Sequence, residues 1–302
     1  MNTARATEEH SQGMTAGSVT SADGTTIGYL RTGQGPPVVI LHGSNESARS
    51  HAQLAMALAS KFTVYLPDRR GRGRSGPHQP GHSMRTEVED LQAVVAAVGA
   101  QAVFGVSISG LIALRTALVT PAVRQVAVYE PALLLDRSGQ YTSWTGRFDQ
   151  ELARSQVADA LITSMYGFDL APPALRLMPR RLLAAATSAA MKKEDAQAAA
   201  GTVTMRQLAP TIRYEGLLLA ETAGSIDAFA GVGADVLLMG GDMKRPAFIR
   251  PAFDALARTL PHHRSVRFPG LDHGGSSDPS PANRGGQPGV VAPDVLKFFG
   301  QR

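Results

Sequence analysis

The sequence predicts an α/β architecture: a mostly parallel central sheet flanked by helices, with an inserted helical segment. Three observations carry this. Short apolar runs alternate with stretches of helical periodicity, the pattern of strand–helix units closing on a shared sheet. One such run, Ala102–Val106, passes straight into Gly105-x-Ser107-x-Ser109-Gly110 and then into a helical pattern. After about Ala132 strand signals stop for about a hundred residues, and they return near Val236.

Each element follows in order. Thr25–Arg31 reads as an early antiparallel strand after the turn Ala22-Asp23-Gly24. Pro36–Leu41 is a core strand, Ala48–Ser60 a helix with apolar residues at helical spacing, and Phe62–Leu66 the next strand. Met84–Val98 is a strong helix, with Glu87, Glu89 and Asp90 in its early turns, where the macrodipole favours acids, and Gly99 as its stop. Ser107–Thr120 is the next helix and Val123–Tyr129 the next strand. Residues 132–231 are rich in alanine and leucine, with short helical stretches broken at Pro172, Pro173, Pro179 and Pro210. The core resumes with Val236–Met239, a helix from about Pro246 to Leu260, a strand around Val266 and a last helix near Pro293–Phe299. The expected organisation is a polar leader over 1–16, a core over 17–131 and 232–302, and a helical insertion over 132–231.

Ser107 is the foremost candidate for chemistry. A serine at the apex of a sharp strand-to-helix turn needs small residues two positions before and after it, and Gly105 and Ser109 meet that demand. The usual pattern is G-x-S-x-G, so the second small residue departs from it. Upstream, Pro36–Leu41 ends in His42-Gly43-Ser44-Asn45, and Phe62–Leu66 ends in Pro67-Asp68-Arg69-Arg70-Gly71-Arg72-Gly73-Arg74-Ser75. Downstream, His273 follows the last strand within Phe268-Pro-Gly-Leu-Asp-His.

With these motifs the chain resembles the α/β-hydrolase superfamily. The resemblance implies the α/β-hydrolase fold with a helical cap at 132–231, and an oxyanion hole formed by the backbone N–H groups of Ser44 and Ile108. It implies Ser107 as nucleophile and His273 as base. For the third member two acids compete. Asp242 lies in the loop after the strand ending at Met239, one or two residues forward of the family's usual spacing, and Glu130 stands at the end of the strand after the nucleophile, where some relatives place the acid. Asp272 is disfavoured because neighbouring side chains diverge. The implied activity is a serine hydrolase cleaving a small ester or lactone through an acyl-enzyme, of the carboxylesterase or lactonase type. A serine rather than an aspartate argues against the dehalogenase and epoxide-hydrolase branches. The alternatives are a C–C bond hydrolase or lyase on the same scaffold, or a non-catalytic small-molecule-binding protein. An apolar substrate pocket is expected from His42, Asn45, Trp144, Phe148 and Tyr166, with His42 also serving the turn beneath the oxyanion hole.

Composition bounds the other classes. The 302 residues are 43% hydrophobic and carry a net charge of +5, but the arginines are dispersed and only 6% of residues are aromatic. A nucleic-acid binder would more often show a basic stripe interleaved with stacking aromatics, so no nucleic-acid partner is expected. Gly71-Arg-Gly-Arg-Ser-Gly76 fits a dinucleotide fingerprint but is followed by Pro77 and Pro80 rather than a helix, so it reads as a turn-rich loop. No apolar window is long enough to span a membrane. No secretory signal is evident and there are no cysteines, which fits a cytoplasmic location. His262 and His263 read as solvated. His10, His51, His78 and His82 read as lacking ligand relationships, so neither metal nor cofactor is expected.

Overall fold

Strand interiors in this chain are apolar on both faces, which calls for cover on both sides of the sheet. A computed structural model, describing residues 13–199, 201–242, 246–280 and 283–301, shows how that cover is arranged. Eight strands form one sheet: β1 Thr15–Thr20, β2 Thr26–Thr32, β3 Pro37–Leu41, β4 Thr63–Pro67, β5 Ala102–Val106, β6 Gln125–Tyr129, β7 Asp235–Gly241 and β8 His263–Phe268, in the order β1-β2-β4-β3-β5-β6-β7-β8. The pairs β1·β2 and β2·β4 are antiparallel and the rest are parallel.

Alternation along β3 shows the two layers. Val38 and Ile40 pack with Leu54 and Leu58 of α1 (Ala52–Leu58) and with Val295 and Phe299 of α11 (Pro288–Phe299). Val39 and Leu41 face the other way, toward Leu91 and Val94 of α2 (Met84–Val98) and Leu111 of α3 (Ile108–Val119). Ser83 caps α2 by accepting from the Thr86 N–H, and Gly99 ends that helix at φ 68°.

Between β6 and β7 the described residues form helices and no strand. These are α4 Thr145–Ala153, α5 Val157–Gly167, α6 Pro173–Arg176, α7 Arg180–Gln197, α8 Met205–Leu208 and α9 Ile212–Thr222, with short 3₁₀ turns at Ala209–Thr211 and Ile226–Gly231. The remaining helix, α10, spans Ile249–Thr259. No helix among the described residues is long and apolar enough to cross a membrane.

Three boundaries differ from expectation. Thr15 and Ala16 belong to β1, a strand whose faces are mostly exposed and which pairing with β2 stabilises, so the leader assignment fails there; residues 1–12 lie outside the described part. The last helix begins at Pro288 rather than Pro293, and Pro293 is accommodated inside it. The helix expected from Pro246 starts at Ile249.

Three of the four arginines of the Arg/Gly loop, Arg69, Arg70 and Arg72, are internal, while Arg74 is exposed. Arg69 donates to Glu87 through Nε (2.9 Å) and Nη2 (2.6 Å), and to Glu215 through Nη1 (3.0 Å). Arg72 pairs with the same Glu215 and bonds the Thr211 hydroxyl at 3.1 Å. Arg70 is chelated by Asp90 and Asp23. All three guanidiniums are buried and present no basic surface; Arg69 and Arg72 join core to helical insertion, while Arg70 ties core segments to one another.

Candidate active site

Parallel register brings the C-terminal ends of β3, β5, β6 and β7 side by side, with Gly105 opposite Leu41 and Val128, and Tyr129 opposite Met239. Loops leaving that edge of an open α/β sheet converge on one crevice. Every candidate catalytic residue is on such a loop.

Ser107 occupies the turn between β5 and α3 at φ 55°, ψ −126°, a region L-residues rarely adopt. The turn is tight enough that a Cβ at Gly105 would lie 2.4 Å from the Ser109 carbonyl oxygen, which is why glycine is required there. Ser109 is small enough for its own position, and its hydroxyl donates to the His42 carbonyl at 2.5 Å, tying the serine turn to the turn after β3.

His273 bridges two side chains. Its Nε2 lies 3.1 Å from Ser107 Oγ and its Nδ1 2.7 Å from Glu130 Oε2. A carboxylate at Nδ1 assigns the proton to that nitrogen and leaves Nε2 as the acceptor for the serine hydroxyl. Glu130 is buried and held from several sides. Its backbone, at φ 44°, donates to the Met239 carbonyl at 2.8 Å, and its Oε1 accepts the Gly241 N–H at 2.9 Å. Asp242 is turned elsewhere, its Oδ1 accepting the Gly270 N–H at 2.8 Å. Asp272 accepts the Gly274 N–H at 2.9 Å, while its carbonyl receives the Tyr129 hydroxyl at 2.7 Å, anchoring the histidine loop to β6. Burial, reinforced by the nearby carboxylates of Glu130, Asp272 and Asp242, raises the Tyr129 pKa, so its hydroxyl stays a donor.

The turn after β3 is held by groups the sequence reading did not single out. Glu46 Oε2 accepts the Gly43 N–H at 2.6 Å and lies 3.1 Å from His51 Nε2. Burial opposes its ionisation, yet the charge and hydrogen bond of His51, helped by Ser277 and the Gly43 N–H, hold its pKa at about 2. An acid three residues beyond the His-Gly pair was the available signal. His42 receives the Arg69 N–H on Nε2 at 3.1 Å and contacts the Gly43 carbonyl through Nδ1 at 2.9 Å. Burial first, then the charges of Arg72 and Arg69, drives its pKa well below the usual value and keeps the ring neutral. Ser44 is half-buried in this turn, and Ile108 opens α3, so its N–H is in the first helical turn, where no intrahelical acceptor exists.

The residues expected around substrate have these surroundings. Trp144 and Phe148 pack edge-to-face at 5.4 Å inside the helical insertion, with the Trp144 indole donating to the Tyr141 carbonyl at 2.7 Å. Tyr166 donates to the Leu175 carbonyl at 2.9 Å. His42 is buried beneath the turn, and Asn45 sits at φ 54° with its Oδ1 buried and unpartnered. A cleft of about 730 Å³ opens between the Arg/Gly loop and the insertion, lined by Ser47, Asp68, Arg72, Arg74, Gly201 and Gln207 among others. A small cavity of about 80 Å³ lies behind Glu130, against Asp242, Phe253 and Arg267.

The expectation for His78 and His82 is corrected. They stand four residues apart, as H-x-x-x-H, and the fold brings one ligating atom of each within 4.8 Å of a Glu87 oxygen.

A sheet of this order with a serine, a histidine and a carboxylate in hydrogen-bonded series at its C-terminal edge defines a hydrolase-like α/β protein. The chain belongs to the alpha/beta hydrolase family, whose model matches residues 38–283. It is similar to an alpha/beta hydrolase from Sphaerobacter thermophilus DSM 20745, with 30% identity, 94% of this chain and 100% of that chain covered, and a TM-score of 0.72. A pimeloyl-[acyl-carrier protein] methyl ester esterase from Stenotrophomonas maltophilia (strain K279a) is 27% identical over 81% of this chain and 87% of its own length. A soluble epoxide hydrolase from Corynebacterium sp. (strain C12) is 36% identical, but the match spans only 26% of this chain and 27% of that protein.

Proposed function

We propose that the chain is a serine hydrolase acting on a small ester or lactone, with Ser107 as nucleophile, His273 as base and Glu130 as the acid that orients it. The observation that carries this reading is the single imidazole set between Ser107 Oγ at 3.1 Å and Glu130 Oε2 at 2.7 Å. Similarity to a methyl ester esterase over most of both chains supports an ester as the substrate class.

His273 Nε2 takes the Ser107 proton as Oγ attacks the carbonyl carbon. Glu130 stabilises the imidazolium that forms and fixes its tautomer. The developing oxyanion rests on the N–H groups of Ser44 and Ile108, the latter also at the positive end of α3. His273 then protonates the leaving alcohol, and water, activated by the same imidazole, hydrolyses the acyl-enzyme. The helical insertion selects the substrate by closing over this edge of the sheet.

The experiment is covalent labelling with a fluorophosphonate together with hydrolysis of short p-nitrophenyl esters. Stoichiometric modification mapped to Ser107, and its loss along with esterase activity in Ser107→Ala, is the expected result. Ester hydrolysis undiminished in Ser107→Ala overturns the assignment.

A further inference from the structure

His78 and His82 lie in the loop between β4 and α2, and Glu87 in the first turn of α2, outside the Ser107–His273–Glu130 series. Three features set the cluster apart. One nitrogen of each histidine and one Glu87 oxygen lie within 4.8 Å of one another. Nε2 of His78 and both ring nitrogens of His82 are buried without a hydrogen-bond partner. His82 Nε2 comes within 3.2 Å of Glu87 Oε1 but is not aligned with it for a hydrogen bond, and the His82 and Glu87 side chains are only 1% and 2% exposed. Buried imidazole nitrogens left unmet cost free energy that folding does not recover, and an unexplained group of them calls for a partner.

We propose that His78, His82 and Glu87 bind a divalent transition-metal cation, zinc being the best match to their chemistry. Two imidazoles and a carboxylate are the donor set that suits zinc, with water completing a tetrahedron. His78 Nε2 has no hydrogen-bond partner to compete with an ion for it. The ring is also positioned: it stacks on Tyr214 of α9 at 3.6 Å and 7°, and a Cβ at Gly71 would fall 2.5 Å from it. Glu87 is held by both hydrogen bonds from Arg69, the kind of outer support that orients a ligating carboxylate. Closing ligand separations to the roughly 3.4 Å of a tetrahedral zinc site requires small rotations of the two rings.

Arg69 and Arg72 repel a cation, and Glu87 and Glu215 offset them only to neutrality. Affinity is therefore expected on the order of 1 μM rather than the far tighter binding of thiolate sites. All three ligands belong to the core, and the His78 ring stacks on Tyr214 of the insertion, so the bound ion would fix the ring surface on which the insertion rests and would not act as a catalyst.

The test uses untagged full-length protein, dialysed against a chelator and titrated with zinc chloride by calorimetry, with cobalt(II) as an optical probe. One equivalent binding near the micromolar range, a visible cobalt absorption and a melting temperature raised by a few degrees are expected. All three should be lost in His82→Gln and in His78→Gln, with the circular dichroism spectrum unchanged. No saturable binding up to 100 μM zinc by the unsubstituted protein overturns the proposal whether or not the variants fold. Binding retained by the double variant overturns it as well.

Discussion

Glu130 reaches His273 from the end of β6, 2.7 Å from its Nδ1, while the other carboxylate oxygen is pinned by the Gly241 N–H at the end of β7. The acid thus comes from one strand and its restraint from the next. Asp242, two residues beyond the restraining strand's Gly240, spends its carboxylate on Gly270.

This arrangement predicts unequal mutants. Glu130→Gln should lower kcat on the order of 10⁴-fold, because an amide at that site accommodates the wrong imidazole tautomer. Asp242→Asn should stay within a few-fold of the parent enzyme. Steady-state kinetics on one p-nitrophenyl ester decides, and a larger loss in Asp242→Asn would reverse the roles.

Ser109 ties the Ser107 turn to the His42 carbonyl. Removing the hydroxyl in Ser109→Ala leaves a buried carbonyl oxygen unmet and should cost about 2 kcal/mol. Urea unfolding measures it, and an unchanged midpoint would show that the carbonyl is satisfied in some other way.

Glu215 is the shared counter-ion of two buried guanidiniums, Arg69 and Arg72. Neutralising it strands positive charge away from water, so Glu215→Gln should destabilise the fold by about 3–5 kcal/mol. Replacing an exposed acid such as Asp254, which pairs with Arg267 at 2.7 Å on the surface, should change stability by under about 1 kcal/mol. Equal effects from the two substitutions would contradict a buried anchor.

Two groups at the turn after β3 contribute to the acid limb of stability. His42 resists protonation when folded, whereas the unfolded chain takes up a proton as pH falls below 6.5, so unfolding binds a proton and stability declines from there downward. Glu46 has the depressed carboxylate case: its contribution is complete above 4.5 and is lost as pH falls toward about 2. Melting temperature should therefore drop from pH 6.5 downward, with Glu46→Gln flattening only the part below 4.5. A melting temperature constant from pH 6.5 to 4 would rule out the His42 contribution.

Legibility differed by element. Met84–Val98 was readable to the residue, because a serine cap, an amphipathic face and a left-handed glycine stop are all local signals. β1 was not, since its strand character comes from pairing with β2 rather than from its own pattern of side chains. The start of Pro288–Phe299 is hidden in the sequence because a proline reads as a helix opening, whereas Pro293 lies within the helix. Glu46 lacks a family motif to mark it; the His78-x-x-x-His82 spacing is written in the sequence, but its approach to Glu87 is made only by the fold, because the loop must turn back onto the first turn of the helix.

What the sequence by itself determined was the strand–helix order, the serine turn and the late histidine, each written in contiguous residues whose sterics and periodicity act over one or two turns of chain. What only the tertiary structure decided was which carboxylate meets His273, where the expected pocket aromatics pack and which buried charges lock the insertion to the core. Those outcomes depend on register between β6 and β7 and on contacts separated by more than a hundred residues, such as Glu130 with His273 and Arg69 with Glu215. Local preference carries no information about which of two acids a parallel sheet will deliver to one imidazole.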